Sequence, residues 1–357
     1  MTSFSLPAPP FLISFFIYLT LFFHLIIVNL VLGSSFLIAI YLFKGKQKHL
    51  NIARPMASRL PYFMAFLITF GVAPLLFLQA MYPSLFYNSL INFSLPSFLI
   101  LLSIFVSYTL LYIGSKKWDL IRFPKAVLYL VVAILLLFVM FVFNNIMSFI
   151  ENAKETPSLF LNSKYGFNFH LSSPTLLARF FHFFFSSIGL SGLWVAIWGV
   201  MKLKKEPEQG RWQYRSGATY FSSSTILVMV TGLWWLLVLP NESASIVLGK
   251  SVFYTTIFVL LIISSIGSLV FALLGMNSIK PSMFLRITGI LTTFNVFAMI
   301  VLRGALREKQ IRDLVDISKS EVNFKLYSFL FFLFFLAIGT FVIIDTIKKV
   351  GKEIRKQ

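Results

Sequence analysis

Two uninterrupted apolar stretches decide the fold class of this chain. Residues 128–143 read LYLVVAILLLFVMFVF and residues 326–344 read LYSFLFFLFFLAIGTFVII, with no charged residue in either. An α-helix needs about 20 consecutive apolar residues to cross the hydrocarbon core of a bilayer, and runs of this kind recur along the chain. A soluble helical bundle would need polar faces on these runs. The sequence therefore predicts an all-α, polytopic membrane protein.

The composition agrees with that prediction. Of the 357 residues, 58% are hydrophobic and only 12% are charged, whereas soluble domains have about 25% charged residues. The mean hydropathy is +0.86. The chain has no cysteine, which excludes disulfides, thiolate metal sites and a covalently attached c-type haem. Any haem must therefore be held non-covalently.

The net charge of +19 does not indicate nucleic acid binding, because the basic residues lie in short clusters between the apolar runs. The positive-inside rule places such clusters in the cytoplasm. We predict about nine spans, near residues 11–43, 60–81, 96–115, 124–150, 175–201, 216–239, 250–274, 284–305 and 323–345. The N-terminus lacks the basic region of a cleavable signal peptide, so we expect the first span to be retained.

The distribution of Lys and Arg predicts the orientation. Alternate connections carry 21 basic residues on one side of the membrane and 8 on the other. The N-terminus is therefore expected outside and the C-terminus in the cytoplasm, in the cell inner (cytoplasmic) membrane. The longest outer connections are 82–95, 151–174 and 303–322, which we expect to meet an outer-face partner.

A short sequence repeat indicates two related halves. Residues 22–24 and 180–182 both read FFH, 158 residues apart, and each is followed by a glycine, Gly33 or Gly192, and then by a basic exit. We interpret this as two four-helix bundles plus one helix, although coincidence in a Phe-rich chain is the alternative. The predicted units are 1–150, 151–310 and, for the ninth span with its basic tail, 311–357.

Ionisable residues inside a span are costly and indicate function, and this chain has very few. His24 lies in the first span, and Arg179 and His182 lie in the fifth. Histidine is a common ligand of b-type haem in helical bundles. Arg179 lies one turn before His182, a spacing that lets a guanidinium meet a haem propionate. The alternative is that each histidine is structural and bonded to a serine or a carbonyl.

Several segments resemble subunit I of cytochrome bd quinol oxidase. FFHLIIVNLVLGSSFLIAIYLFKGKQ (22–47) resembles the first helix of that family, and SSPTLLARFFHFFFSSIGLSGLWVAIWGV (172–200) resembles its fifth. ITFGVAPLLFLQAMY (68–82) and FVFNNIMSFIENA (141–153) are similar to the second helix and to the end of the fourth. The resemblance implies that His24 corresponds to a haem ligand of helix one and His182 to an axial ligand of a low-spin haem b. It also implies a quinone and a second membrane subunit.

The chain departs from that family at other positions. The methionine ligand of helix seven has no match in SVFYTTIFVLL (251–261), and no acidic residue lies among Asn295–Met299, where the family has a haem-ligating glutamate. The helix-three glutamates are missing, and the quinol-binding loop is cut to residues 240–250. We therefore do not expect a complete oxygen-reducing oxidase.

Three functional hypotheses remain from the sequence. The first is a membrane subunit of a quinol-linked oxidoreductase, with one or two haem b groups on His182 and His24. It would exchange electrons between quinone and a periplasmic or lipid-anchored cytochrome. The second is a haem-free anchor of a larger respiratory complex. The third is a secondary transporter, which would have broken helices and midplane binding groups.

Overall fold

The computed structural model describes the chain apart from residues 1–4, 120–123, 152–165, 313–316, 318–319 and 357. The described residues form eleven α-helices and no β-strand. The helices are α1 (Pro10–Lys44), α2 (Gln47–Met81), α3 (Pro83–Asn92), α4 (Ser94–Lys116), α5 (Lys125–Glu151), α6 (Pro174–Lys202), α7 (Pro207–Val238), α8 (Asn241–Ser245), α9 (Val252–Asn277), α10 (Pro281–Ile311) and α11 (Leu326–Lys356). A π-helical turn, Ile246–Lys250, follows α8.

Eight of the described helices are long and apolar enough to cross a bilayer, namely α1, α2, α4, α5, α6, α7, α9 and α10. The described apolar part of α11, Leu326–Val342, is shorter. The all-α, polytopic fold is confirmed, with eight full-length spans and a ninth apolar helix. The orientation stays a prediction.

Two helices begin well before the predicted spans. The second begins at Gln47 rather than near residue 60, and it continues through Pro55, Pro61 and Pro74. The seventh begins at Pro207 rather than near residue 216. Hydropathy reports the part of a helix that lies in the bilayer, whereas backbone hydrogen bonding continues into the polar segment beyond it.

The predicted outer connections are also more helical than expected. Segment 82–95 is largely α3, and segment 303–322 begins inside α10, which ends only at Ile311. Most of segment 151–174 lies outside the described residues. Arg303, which the predicted span 284–305 and the predicted outer segment 303–322 share, is therefore a helical residue.

The spanning helices pack as two rings of four. In the first ring α1 packs on α2, α2 on α4, α4 on α5, and α5 returns to α1. In the second ring α6, α7, α9 and α10 close in the same way. The prediction of two four-helix bundles is confirmed, while the boundaries at 150 and 310 stay a prediction. Helix α11 lies outside both rings, where its Phe332 contacts Phe16 and Phe77.

The two bundles meet where α1 crosses α6. A Cβ atom built on Gly33 would lie 2.0 Å from the carbonyl oxygen of Ser187, so the two backbones approach more closely there than any other residue type allows. Ser34 donates a hydrogen bond to Ser191 across the same contact, at 3.2 Å. Small residues permit this kind of packing between membrane helices. Because the FFH sequence lies in both α1 and α6, the crossing also brings the two candidate histidine helices side by side.

Candidate functional site

A cavity of about 490 Å³ lies inside the second bundle. Its walls come from α6, α7, α9 and α10, and Leu25 and Asn29 of α1 complete one side. Ligand pockets in proteins have volumes of about 300–1,000 Å³. The lining is mainly aliphatic and aromatic, and His182 is one of the few polar side chains in it. The cavity can therefore hold a flat or elongated apolar group and one specific contact from an imidazole.

A backbone hydrogen bond sets the tautomer of His182. Its Nδ1 atom lies 3.1 Å from the carbonyl oxygen of Val228 and 3.4 Å from the hydroxyl of Thr231, both on α7. Because a carbonyl can only accept, Nδ1 carries the proton and, in the neutral ring, Nε2 keeps its lone pair. Metal-binding histidines are oriented in this way, with the other nitrogen bonded to a carbonyl or carboxylate. Nε2 of His182 is thus the ring nitrogen that can donate an electron pair to a group bound in the cavity.

His24 has the same local environment in the first bundle. Its Nδ1 atom lies 3.2 Å from the carbonyl oxygen of Leu67, and a Cβ atom on Gly71 would lie 2.8 Å from its ring. In the second bundle Gly232 lies against the ring of His182. In both bundles the accepting carbonyl precedes the glycine by four residues on the next spanning helix. The sequence repeat therefore has a structural counterpart at the two histidines, although His24 does not line the cavity.

The structure directs Arg179 away from His182. Its side chain is 1% exposed, and Nη1 forms an ion pair with Glu151 at 2.5 Å. Its Nη2 donates to the carbonyl oxygen of Asn144 at 3.0 Å. Both partners belong to α5, so Arg179 joins the bundles and is absent from the cavity wall. A guanidinium buried there needs a carboxylate partner, and Glu151 supplies it. The expected contact between Arg179 and a propionate thus has no support from this geometry.

Arg303 is the cation that lies next to the cavity. Its guanidinium carbon lies 4.6 Å from the ring centre of Phe183 and 5.4 Å from that of Trp235, and both rings line the cavity. Arg303 was not among the predicted site residues, because the acidic and basic residues that follow it are typical of a loop. The available signal was its position within the predicted span 284–305. In the structure it lies one turn after Met299 and about one turn before Leu306, and both of these residues line the cavity.

Two methionines complete the set of possible ligands. Met229 on α7 and Met299 on α10 both line the cavity, and a thioether is a known partner of histidine on haem iron. The midplane amide of Asn295 also lines it and accepts a hydrogen bond from Ser264 of α9. Among the described residues no group of three or more His, Asp or Glu side chains forms a metal cluster. The donor set of one imidazole and a thioether fits a haem better than a free metal ion.

Fold and cavity together define a class: a polytopic helical membrane protein of two four-helix bundles, with a histidine-lined cavity in the second. A chain in the structure of bd oxidase from Geobacillus thermodenitrificans shares this fold, with a TM-score of 0.73 and 16% sequence identity. The similarity covers 96% of this chain and 97% of that one. No protein-family model and no curated protein sequence matches the chain. The bd-like fold that the sequence predicted is thus confirmed, in a strongly divergent chain.

Proposed function

We propose that the protein is a bd-like membrane subunit of a respiratory electron-transfer complex and that it holds a haem b in the cavity of the second bundle. The observation that carries the proposal is the position of His182 on the wall of this cavity, combined with the hydrogen bond from its Nδ1 to the carbonyl of Val228. It leaves the lone pair of Nε2 available to iron. The fold shared with bd oxidase supports the same conclusion.

The other cavity residues fit this group. Haem b supplies reversible one-electron transfer at its iron. His182, together with Met299 or Met229, would hold the haem iron, while Val228 orients the imidazole through its carbonyl. Arg303, whose guanidinium packs on Phe183 and Trp235 of the cavity wall, would pair with a propionate in place of Arg179. The apolar walls exclude water, which tunes the potential of a buried haem.

Absorption spectra of the protein extracted in mild detergent test the proposal. The dithionite-reduced wild type should show a Soret band and an α-band, and His182→Ala should lose both. His49→Ala removes a histidine at the far end of α2 and serves as the control that keeps them. Exogenous imidazole should restore the bands to His182→Gly, which separates loss of the ligand from loss of the fold. A wild type without a Soret band would refute the proposal.

His24 is the candidate ligand for a second haem b. No second ligand is identified for His24, so a haem held by this imidazole alone would be able to bind small ligands. Carbon monoxide should then shift the reduced spectrum of the wild type, and His24→Ala should abolish that shift while the His182-dependent bands remain. A spectrum that carbon monoxide does not change would assign His24 a structural role, packed between Leu67 and Gly71.

The partners in this proposal are the lipid bilayer, a second membrane subunit, and a periplasmic or lipid-anchored cytochrome at the outer face. Quinone would exchange electrons with the complex. Because no acidic residue lies among Asn295–Met299, we do not propose that this chain reduces oxygen by itself. Quinol-dependent oxygen consumption by the isolated chain would contradict that part.

A haem-free anchor of a respiratory complex is the second candidate. The buried ion pair between Arg179 and Glu151 favours it, because a cation that was expected at the haem holds the bundles together instead. The transporter hypothesis has less support. The described parts of the spanning helices contain no break, and α2 continues as a helix through Pro74.

A further inference from the structure

A second cavity, also about 490 Å³, forms a groove between α1, α6 and α10. We call it the α10 groove. Its lining is apolar except for Arg286, Thr292 and Thr293, all on α10. Ile197 and Ile290 in its wall are 41% and 69% exposed, so the groove opens on the surface that faces lipid. An ideal Cβ atom on Gly289 would have no neighbour within 4 Å, which marks the open space in the groove.

The groove is about as long as half of the hydrocarbon core is thick. From Arg286 to Val296 it follows α10 for ten residues, or about 15 Å at 1.5 Å per residue. Half of the hydrocarbon core is also about 15 Å. Arg286 stands near the beginning of α10, and Val296 lies towards the midplane. An alkyl chain that enters beside Arg286 would therefore end near the centre of the membrane.

Arg286 is the one charged residue in the described lining of the groove. Its Nε donates to the carbonyl oxygen of Ser282 at 3.3 Å, which orients the side chain towards the first turn of α10. Lys202 ends α6 at the same end of the molecule, and Lys280 precedes α10. A guanidinium there is placed to donate two parallel hydrogen bonds to a phosphate.

We propose that the α10 groove binds an anionic phospholipid from the leaflet at this basic end. One acyl chain lies along Gly289 towards Val296, and the phosphate contacts Arg286. Basic pockets between membrane helices recognise acidic headgroups in this way. The proposal does not depend on haem in the neighbouring cavity, although Leu190, Thr292 and Val296 line both spaces.

Native mass spectrometry of the detergent-purified full chain tests the proposal with two lipids of identical acyl chains, phosphatidylglycerol and phosphatidylcholine. We expect the wild type to retain phosphatidylglycerol preferentially. Arg286→Gln should weaken its binding roughly tenfold, since a charge-assisted hydrogen bond is lost, and should remove the preference. Arg211→Gln removes a charge at the same end of the molecule but outside the groove, and it should bind as the wild type does.

Gly289→Leu provides the second arm, because its side chain would fill the open space. It should lower the occupancy of both lipids, whereas Gly339→Leu on α11 should not. Size-exclusion profiles identify any variant that fails to fold. Unchanged phosphatidylglycerol binding in Arg286→Gln would overturn the proposal, and so would unchanged binding in Gly289→Leu. If Gly289→Leu alone reduced binding, the groove would hold acyl chains without recognition of the headgroup, and the proposed preference for an anionic lipid would be wrong.

Discussion

At the scale of single residues, the ion pair between Arg179 and Glu151 is a test of how the two bundles are joined. Its side chains are 1% and 14% exposed. Glu151→Ala would leave a buried guanidinium without its carboxylate, which costs about 3–5 kcal/mol in stability. Thermal unfolding of the detergent-solubilised protein measures the loss.

A matched control exists in the first bundle. Arg54 and Asp119 form an ion pair at 2.6 Å whose side chains are 59% and 72% exposed, and exposed pairs contribute about 0–1 kcal/mol. Asp119→Ala should therefore have little effect. The double variant Arg179→Met with Glu151→Leu should recover much of the loss, because no charge remains buried. A midpoint for Glu151→Ala equal to that of Asp119→Ala would contradict the assigned role.

Residue-scale chemistry was only partly predictable from the sequence. The histidines were identifiable because ionisable residues are so scarce in the spans. Their hydrogen-bond acceptors were not, since Leu67 and Val228 belong to other helices and the register between helices depends on packing. Spacing along α6 showed that Arg179 and His182 are neighbours, but it did not show that their side chains have different partners.

At the scale of elements, the crossing of α1 and α6 requires a glycine. Gly33→Ala would place a methyl group 2.0 Å from the carbonyl oxygen of Ser187, so the helices must separate, at a cost of about 1–3 kcal/mol. The same substitution at Gly339, which has no neighbour within 4 Å, should leave stability unchanged or slightly improved. A lower thermal midpoint for Gly33→Ala alone is the expected result. Equal midpoints would mean that the crossing tolerates a methyl group.

Helix ends were predictable to different degrees. Helix α1 was expected at 11–43 and occupies Pro10–Lys44, because its apolar run and its helix nearly coincide. Helix α2 was expected from residue 60 and begins at Gln47, because a polar segment extends it beyond the apolar part. Hydropathy therefore predicted the positions of the spans well, whereas the helical segments outside the bilayer were identified only from the structure.

At the scale of the whole molecule, the first helix of each four-helix ring carries the FFH sequence. The repeat predicted which helix opens each bundle, and the shared positions of Gly71 and Gly232 beside the histidines extend the correspondence to the following helix. The position of α11 outside the two rings was also predicted, whereas its contacts with α1 and α2 through Phe332 were not, since they depend on packing. The bd-like fold persists at 16% identity because hydrophobic helices of suitable length tolerate many substitutions that keep volume and pattern.

Orientation decides which side of the membrane a partner of the His182 site occupies. His182 lies eight residues from the start of α6, or about 12 Å along the helix axis, so the site is nearer the end of the molecule that the charge distribution places outside.

The chain has no cysteine, so a single introduced cysteine shows on which side of the membrane its position lies, with no labelling of other residues. In intact spheroplasts, a membrane-impermeant maleimide should label Asn88→Cys on α3 and spare Lys204→Cys between α6 and α7. Both positions are exposed, and both should react after permeabilisation. Labelling of Lys204→Cys alone before permeabilisation would reverse the orientation and move the proposed electron-transfer partner to the cytoplasmic face.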